Sequence, residues 1–600
     1  MSSSQPARPG FTRSLQSLAL AAAAALAAAP AHGASPDLPA DPLFDLAAIM
    51  SEPVDLTVLT SETTNGVVFQ VVEYTTRTTN GKPERIQGLF AFPEGGQKLP
   101  GVYWSMGGMA KATRDFPGLL ARKGYACLAV TLPHALRQSF RIPFDAANPQ
   151  SANLTLLARD QLRGITALAG RPEVNPDRLA VGGASYGGVF ATLIAGVDPR
   201  IKAGFSFFGG GHHELGTSLP QFLKMGTVAD VEAWGRTIDP AFRLTKKEIP
   251  FLWGVAFNDH WFHFPAVSAT YLEASGTGKR IVIMPHWQHG FPAEVDKTLF
   301  DFLDTTPVSA NPRPAYNAPG PVTVRKENGH AVASFSWTGG DPVAKAELVV
   351  SYGEVTPWLG WPHRAAFILP AAVSGQTATA RLPIPSRRLP LIVWGTLTDT
   401  NQLFVSTPPL TLTAKDLSQL PADPSPVLNC FPDGNLGDDV LTFYRLSGET
   451  LAGLTEKDAA CSGGQVQRID PVTNDAPSFS VRHFHNVPGL AHRLTLRLKA
   501  EKPTTLSVSL TPIRPSAWSF ASVKTLVVKD PRLAPLLPRW ADAPAPYAVT
   551  SAVGTAWQDV VLEIPAPSAP VDGYTLAIRE TPESRTPYWL DTLLMQPLWP

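Results

Sequence analysis

Leu179-Ala180-Val181-Gly182-Gly183-Ala184-Ser185-Tyr186-Gly187-Gly188-Val189-Phe190 is the stretch on which the reading of this chain turns. A short apolar run ends in a Gly-x-Ser-x-Gly box (Gly183, Ser185, Gly187), and a helix-like run to about Gly196 follows. That order predicts a strand, a sharp turn and a helix, with Ser185 exposed at the turn as a nucleophile elbow. Glycine suits such a turn because the backbone is strained and neighbouring chain comes too close for most side chains. A box this short is weak evidence alone, so its surroundings have to decide.

Outward from the box, strands alternate with helices. Val67 to Val72, Gly88 to Phe92, Pro100 to Ser105, Tyr125 to Leu132, Lys202 to Phe208, Phe251 to Val255 and Arg280 to Met284 read as strands, with a turn at Asn80-Gly81-Lys82-Pro83. Phe116 to Lys123, Thr155 to Ala169 and Glu294 to Leu303 read as helices. The alternation predicts a mostly parallel sheet with helices on both faces, whose polar residues collect at the carboxyl ends of the strands.

A serine hydroxyl needs a histidine base, a carboxylate that orients the base, and backbone donors for the oxyanion. The strand at 251–255 leads into Asn258-Asp259-His260-Trp261-Phe262-His263, and the strand at 280–284 into Pro285-His286-Trp287-Gln288-His289-Gly290. Acid and histidine thus follow Ser185 in chain order, each just past a strand. His289 is preferred to His286 as the base, because Gly290 beside it allows a tight loop while His286 lies nearer the strand end. The backbone N–H of Tyr186 and that of Gly108, in the Met106-Gly107-Gly108-Met109 loop, are the expected oxyanion donors. The loop from Gly209 to His213 is expected to line the pocket, with His212, His213 and His286 as substrate contacts. A metal site built from His260-x-x-His263 and His286-x-x-His289, with His212, His213 and Asp259, is the rival. These pairs fall on loops, where that spacing does not align ligands, and a metal site would leave the serine box unexplained.

Six hundred residues exceed one hydrophobic core, so several domains are expected. The net charge of zero and the lack of a basic, aromatic-interleaved stretch give no indication of a nucleic-acid partner. Arg8 and Arg13 followed by apolar Leu18 to Ala29 read as a signal peptide over 1–34, cleaved after Ala31 or Ala34. No later stretch has membrane-spanning length, so the expectation is a secreted or periplasmic protein with no membrane insertion after cleavage. Cys127 is expected to be a buried thiol, and Cys430 with Cys461 to form a disulfide in an oxidising compartment. Residues 45–305 form the expected catalytic domain, and proline-rich 306–321 a linker. Residues 322–413 read as a β-sandwich, 414–426 as a second linker, and 427–600 as another all-β domain.

These residues resemble those of secreted α/β-hydrolases of the acetyl xylan esterase and prolyl-oligopeptidase-like superfamily. The resemblance rests on Gly183-Ala184-Ser185-Tyr186-Gly187-Gly188, on Asn258-Asp259-His260-Trp261-Phe262, and on Arg280 to His286 with His289-Gly290. It covers about residues 55–305. Where many relatives carry His-Gly-Gly after the early strand, this chain has Met106-Gly107-Gly108. Val427 to Gly434 and Tyr588 to Met595 resemble the first and last strands of a carbohydrate-binding type of jelly roll. The resemblance implies an α/β-hydrolase fold followed by a β-sandwich and a jelly roll. It implies a serine esterase without metal or organic cofactor, acting on an ester substrate such as an acetylated plant polysaccharide. A serine peptidase of the same superfamily and a non-catalytic glycan-binding protein are the alternatives. The Ser–Asp–His order argues against the latter.

Overall fold

The strand that carries the serine box lies in the middle of a mixed sheet. The computed structural model describes residue 41 and residues 43–600, apart from 80–81, 109–110, 132–143, 216–227, 246, 291–293, 314–315, 354–363, 424–427, 429, 431–453, 459–460, 462–464, 473–476, 514–544, 568–570 and 572. The expected signal peptide, the Asn80-Gly81 turn and all of 427–434 but Leu428 and Cys430 lie outside the described residues.

Helix α1 (Leu46–Ser51) precedes an antiparallel pair, β1 (Thr57–Thr64) and β2 (Val67–Thr79). The pair turns at Asn65-Gly66, both at positive φ (51° and 72°), a conformation these two residue types tolerate best. β3 (Lys82–Pro93) continues antiparallel. Then come β4 (Leu99–Ser105), α2 (Asp115–Arg122), β5 (Ala126–Val130), α3 (Asn153–Ala169), β6 (Val174–Ala184), α4 (Tyr186–Val197) and β7 (Ile201–Phe207). They are followed by α5 (Val228–Thr237), α6 (Pro240–Leu244), β8 (Phe251–Ala256), α7 (Phe264–Glu273), β9 (Arg280–Met284) and α8 (Glu294–Leu303). The spatial order is β1-β2-β3-β5-β4-β6-β7-β8-β9, parallel from β5 onward. β5 and β8 are buried along their whole length, which is why they are continuous apolar runs. α2 joins strands running one way across the sheet and α4 joins strands running the other way, so right-handed crossovers place them on opposite faces.

The proline-rich stretch after α8 is packed against this layer. The Ala310 N–H donates to the Tyr125 hydroxyl at 3.2 Å, and Tyr316 is buried edge-on against Phe302. Beyond it run β10 (Ala318–Pro319), β11 (Thr323–Glu327), β12 (His330–Thr338), β13 (Val343–Tyr352), β14 (Phe367–Pro370), β15 (Ala372–Ser374), β16 (Thr377–Arg381), β17 (Leu391–Asp399), β18 (Phe404–Ser406) and β19 (Leu410–Leu412). One sheet is β10-β12-β16-β15, with β11 also on β12. The other, β18-β17-β13-β14, joins the first sheet at its edge. Ser406 pairs with Ile281 of β9, and its hydroxyl accepts the Ile283 N–H at 3.0 Å. The result is a continuous 14-stranded sheet.

The last region has two antiparallel sheets. Its strands are β20 (Leu454–Lys457), β21 (Gln465–Ile469), β22 (Phe479–Phe484), β23 (Ala491–Ala500), β24 (Thr504–Pro512), β25 (Tyr547–Val553), β26 (Gln558–Ile564), β27 (Tyr574–Glu580) and β28 (Tyr588–Leu598). They are ordered β20-β21-β28-β23-β26 and β22-β27-β24-β25. Alternation puts Leu494, Leu496 and Leu498 of one sheet and Leu506, Val508 and Leu510 of the other into the shared core.

The expected disulfide is not formed. Cys430 is buried, its N–H bonded to the Met595 carbonyl, while Cys461 lies partly exposed near Asp458, Asp591 and Lys499. Burial raises the pKa of Cys430, and burial with the two carboxylates pushes Cys461 up to about 11. Spacing of the two cysteines did not reveal that their environments differ. The expected outcome with a thiol reagent is three reactive thiols per chain after denaturation without reductant, matching the three cysteines. One reactive thiol would show that the pair is bridged.

Candidate active site

At the end of β6 the chain turns through Ser185, whose φ of 61° and ψ of −128° lie in a region L-residues avoid. Such a conformation costs on the order of 1–3 kcal/mol and persists only when its surroundings enforce it. Here the Ser185 N–H is held by the Phe207 carbonyl on neighbouring β7 at 2.7 Å, and the Ser185 carbonyl takes the Gly188 N–H at 2.8 Å. The glycines of the box are demanded by contact. A Cβ on Gly183 would run into the Gly187 carbonyl, and one on Gly187 into the Ser105 carbonyl of β4.

Asp259 sits just past β8 and is fully buried. Its Oδ1 accepts the N–H groups of Trp261 (2.7 Å) and Phe262 (3.0 Å), so the loop closes around the carboxylate. His289, in the loop after β9, places Nδ1 2.9 Å from Asp259 Oδ2 and Nε2 2.7 Å from Ser185 Oγ. The loops are tied to each other, the Asn258 N–H donating to the Trp287 carbonyl at 3.0 Å. A carboxylate accepts only, so Nδ1 carries the ring proton and Nε2 is left to accept from the serine hydroxyl. The arrangement can therefore draw a proton from Ser185 while Asp259 stabilises the imidazolium that forms.

The structure treats the other expected site residues differently. Tyr186 supplies the first N–H of α4, at the positive end of the helix dipole. Gly108 has φ +37°, with open space where a Cβ would point. Gly107, its neighbour, is closer to the nucleophile. A Cβ there would come 3.2 Å from the Ser185 Cβ and 2.9 Å from the Ala184 carbonyl. His212 pairs with Glu273 of α7 at 3.0 Å, and His213 is buried with its Nε2 at the Gly210 carbonyl, 3.1 Å away. His286 is also buried, its ring stacked on that of His485 from the last β region. The partners described for these three histidines are Glu273, the Gly210 carbonyl and the His485 ring. Phe208, Phe262 and His260 lie close by, with ring centroids 5.4, 5.9 and 6.1 Å from that of His289. His260 and Phe262 follow Asp259 within three positions, so proximity to the acid was the signal available. Phe208, at φ +57° after β7, stands at the carboxyl end of its strand, beside the loop expected to line the pocket. Among the described residues no group of three or more His, Cys, Asp or Glu side chains gathers as a metal ion requires. No helix among them is long and apolar enough to cross a membrane.

Burial pushes His263, His286 and His492 down to about 4 from the ordinary 6.5. Folded stability is whole above pH 6.5. As the pH falls from 6.5 toward 4 the unfolded imidazoles take up protons that the folded ones refuse, and stability is lost, by up to about 3 kcal/mol per histidine. Tm is expected to fall steadily across that window. A Tm constant from pH 6.5 to 4 would contradict the buried, neutral placement.

No family model matches the chain, and no curated protein matches it. Among solved structures it is similar to an acetyl xylan esterase from Paenibacillus sp. R4, at 19% identity and a TM-score of 0.36, over 45% of this chain and 96% of that one. Acetyl xylan esterase 1 from Thermoanaerobacterium sp. JW/SL YS485 is similar at 15% identity and a TM-score of 0.35, over 43% and 90%. An acylaminoacyl peptidase from Pyrococcus horikoshii is similar at 15% identity and a TM-score of 0.30, over 42% and 50%.

Proposed function

We propose that this protein is a serine hydrolase of acyl esters, built on an α/β-hydrolase fold over residues 45–305. The observation that carries the reading is the unbroken hydrogen-bonded chain from Ser185 Oγ through His289 to buried Asp259, at 2.7 and 2.9 Å. In this reading Ser185 attacks the ester carbonyl while His289 takes its proton. The N–H groups of Tyr186 and Gly108 hold the oxyanion. His289 then returns the proton to the leaving alcohol, and water repeats the cycle to free the acid. These steps call on no metal or organic cofactor. The substrate we favour is an acetyl ester on a plant polysaccharide, supported by the sequence of the Asn258-to-Phe262 and His286-to-Gly290 loops. Export to the periplasm or beyond, a β-sandwich over 322–413 and a jelly roll over 427–600 belong to the same proposal.

The test is a substrate panel of p-nitrophenyl acetate, acetylated xylan and an aminoacyl-p-nitroanilide, with a fluorophosphonate probe alongside. The expected result is ester cleavage exceeding amide cleavage, with a single phosphonyl adduct on Ser185. Amide cleavage that exceeds ester cleavage would replace the esterase by a serine peptidase. An unlabelled Ser185 would overturn the mechanism.

A further inference from the structure

The loops that hold Asp259 and His289 are braced by chain far beyond residue 305. Asn258, beside Asp259, is fully buried, and its amide makes two bonds to one distant residue's backbone. Oδ1 accepts the Arg364 N–H at 2.9 Å and Nδ2 donates to the Arg364 carbonyl at 3.1 Å. The same Nδ2 lies 3.4 Å from His485 Nε2. His286, in the base loop, stacks on His485 with ring centroids 5.8 Å apart and planes 18° from parallel. One imidazole from the last β region thus touches both the acid loop and the base loop.

The brace is itself anchored. Arg364 is buried, and its guanidinium donates to the Tyr352 and Gly353 carbonyls at the end of β13, at 2.8 and 2.7 Å. Its backbone forms a bridge with Asn486, the Ala365 N–H donating to the Asn486 carbonyl at 2.8 Å. The next turn is closed by the Val487 N–H on His492 Nε2 at 3.0 Å.

We propose that Asn258, Arg364 and His485 are positioning residues that set the Asp259–His289 geometry, so that the β regions after residue 305 complete the catalytic site. This rests on the reading of Ser185, His289 and Asp259 as the catalytic residues. An interface that served stability alone would not need to place its buried amide next to the acid and its imidazole on both loops. Misplacement of a catalytic group by about 1 Å costs on the order of 10²-fold in rate. Substrate binding is not expected to share that sensitivity.

The test measures kcat, KM and Tm for p-nitrophenyl acetate with full-length Asn258→Ala, His485→Ala and, as a control, Arg313→Ala. Arg313 bonds Asp301 and Asp341 elsewhere between the first layer and the β regions. The expectation is a fall in kcat of about 30- to 100-fold for Asn258→Ala and about 10-fold for His485→Ala, with KM within about twofold, well below each Tm. Arg313→Ala should lose Tm but keep kcat. His485→Ala retains both Asn258–Arg364 bonds, so it carries the test if Asn258→Ala does not fold. Wild-type kcat in either folded variant overturns the positioning role and leaves the catalytic reading standing. Hydrolysis that survives Ser185→Ala overturns both.

Discussion

Ser185→Ala is expected to lower kcat for p-nitrophenyl acetate by about 10⁴- to 10⁶-fold while moving Tm by no more than about 2 °C. The kinetic loss is large because the nucleophile is the one group that neither His289 nor the oxyanion donors can replace. The thermal change is small because alanine keeps the Cβ and the backbone of the elbow. The strain at φ 61° stays in place, as do the Ser185 N–H bond to Phe207 and the glycine contacts with Ser105. What is lost is one hydrogen bond at a partly open site, worth on the order of 1 kcal/mol. A comparison of wild type and variant by initial rates and by thermal melting decides the matter. Activity within tenfold of wild type would remove Ser185 from the mechanism.

Asp259→Asn is expected to reduce kcat by about 10⁴-fold with a folded protein. The direction of the amide follows from the loop. Oδ1 receives two backbone N–H groups, from Trp261 and Phe262, so an asparagine must set its oxygen there and its NH₂ toward His289. Oδ1 also lies 3.1 Å from Nδ1, but the nearer position, at 2.9 Å, falls to the NH₂, whose donation to Nδ1 favours the ring proton on Nε2. In that tautomer Nε2 points a proton at Ser185 Oγ and cannot accept one. Asp259→Ala should also be slow, but through a base that is unoriented rather than one held in the wrong tautomer. A nitrogen-15 NMR spectrum of the labelled His289 ring reads the difference directly. An Asp259→Asn enzyme whose ring proton remains on Nδ1 would contradict this account.

Much of the first layer was legible in local pattern. β5 and β8 were readable because strands buried on both faces must be apolar throughout, and the elbow because its glycines are imposed by contacts with the adjacent strands. The order serine, acid, histidine was readable because each loop follows immediately on a strand. What local pattern left open shares a cause. His286 and His289 lie three residues apart on one loop, and nothing in their spacing shows that one ring meets Ser185 while the other stacks on His485. Cys430 and Cys461 likewise showed their separation but not their surroundings. Gly108 is the expected donor of its loop, and nothing in the sequence shows that Gly107 beside it packs against the Ser185 Cβ and the Ala184 carbonyl.

The amino-acid order alone locates most strands of the first layer and the residues at their ends, though not β1 or the helices α1, α5, α6 and α7. Those features depend on side-chain periodicity and on turn chemistry within a few residues. Only the folded chain decides that β18 extends the first sheet at β9, that the proline-rich stretch lies packed rather than loose, and that Arg364 and His485 reach the loops of Asp259 and His289. These contacts join residues that are on the order of 100 or more positions apart in the chain. They arise from the shape of a shared core, which no local pattern encodes.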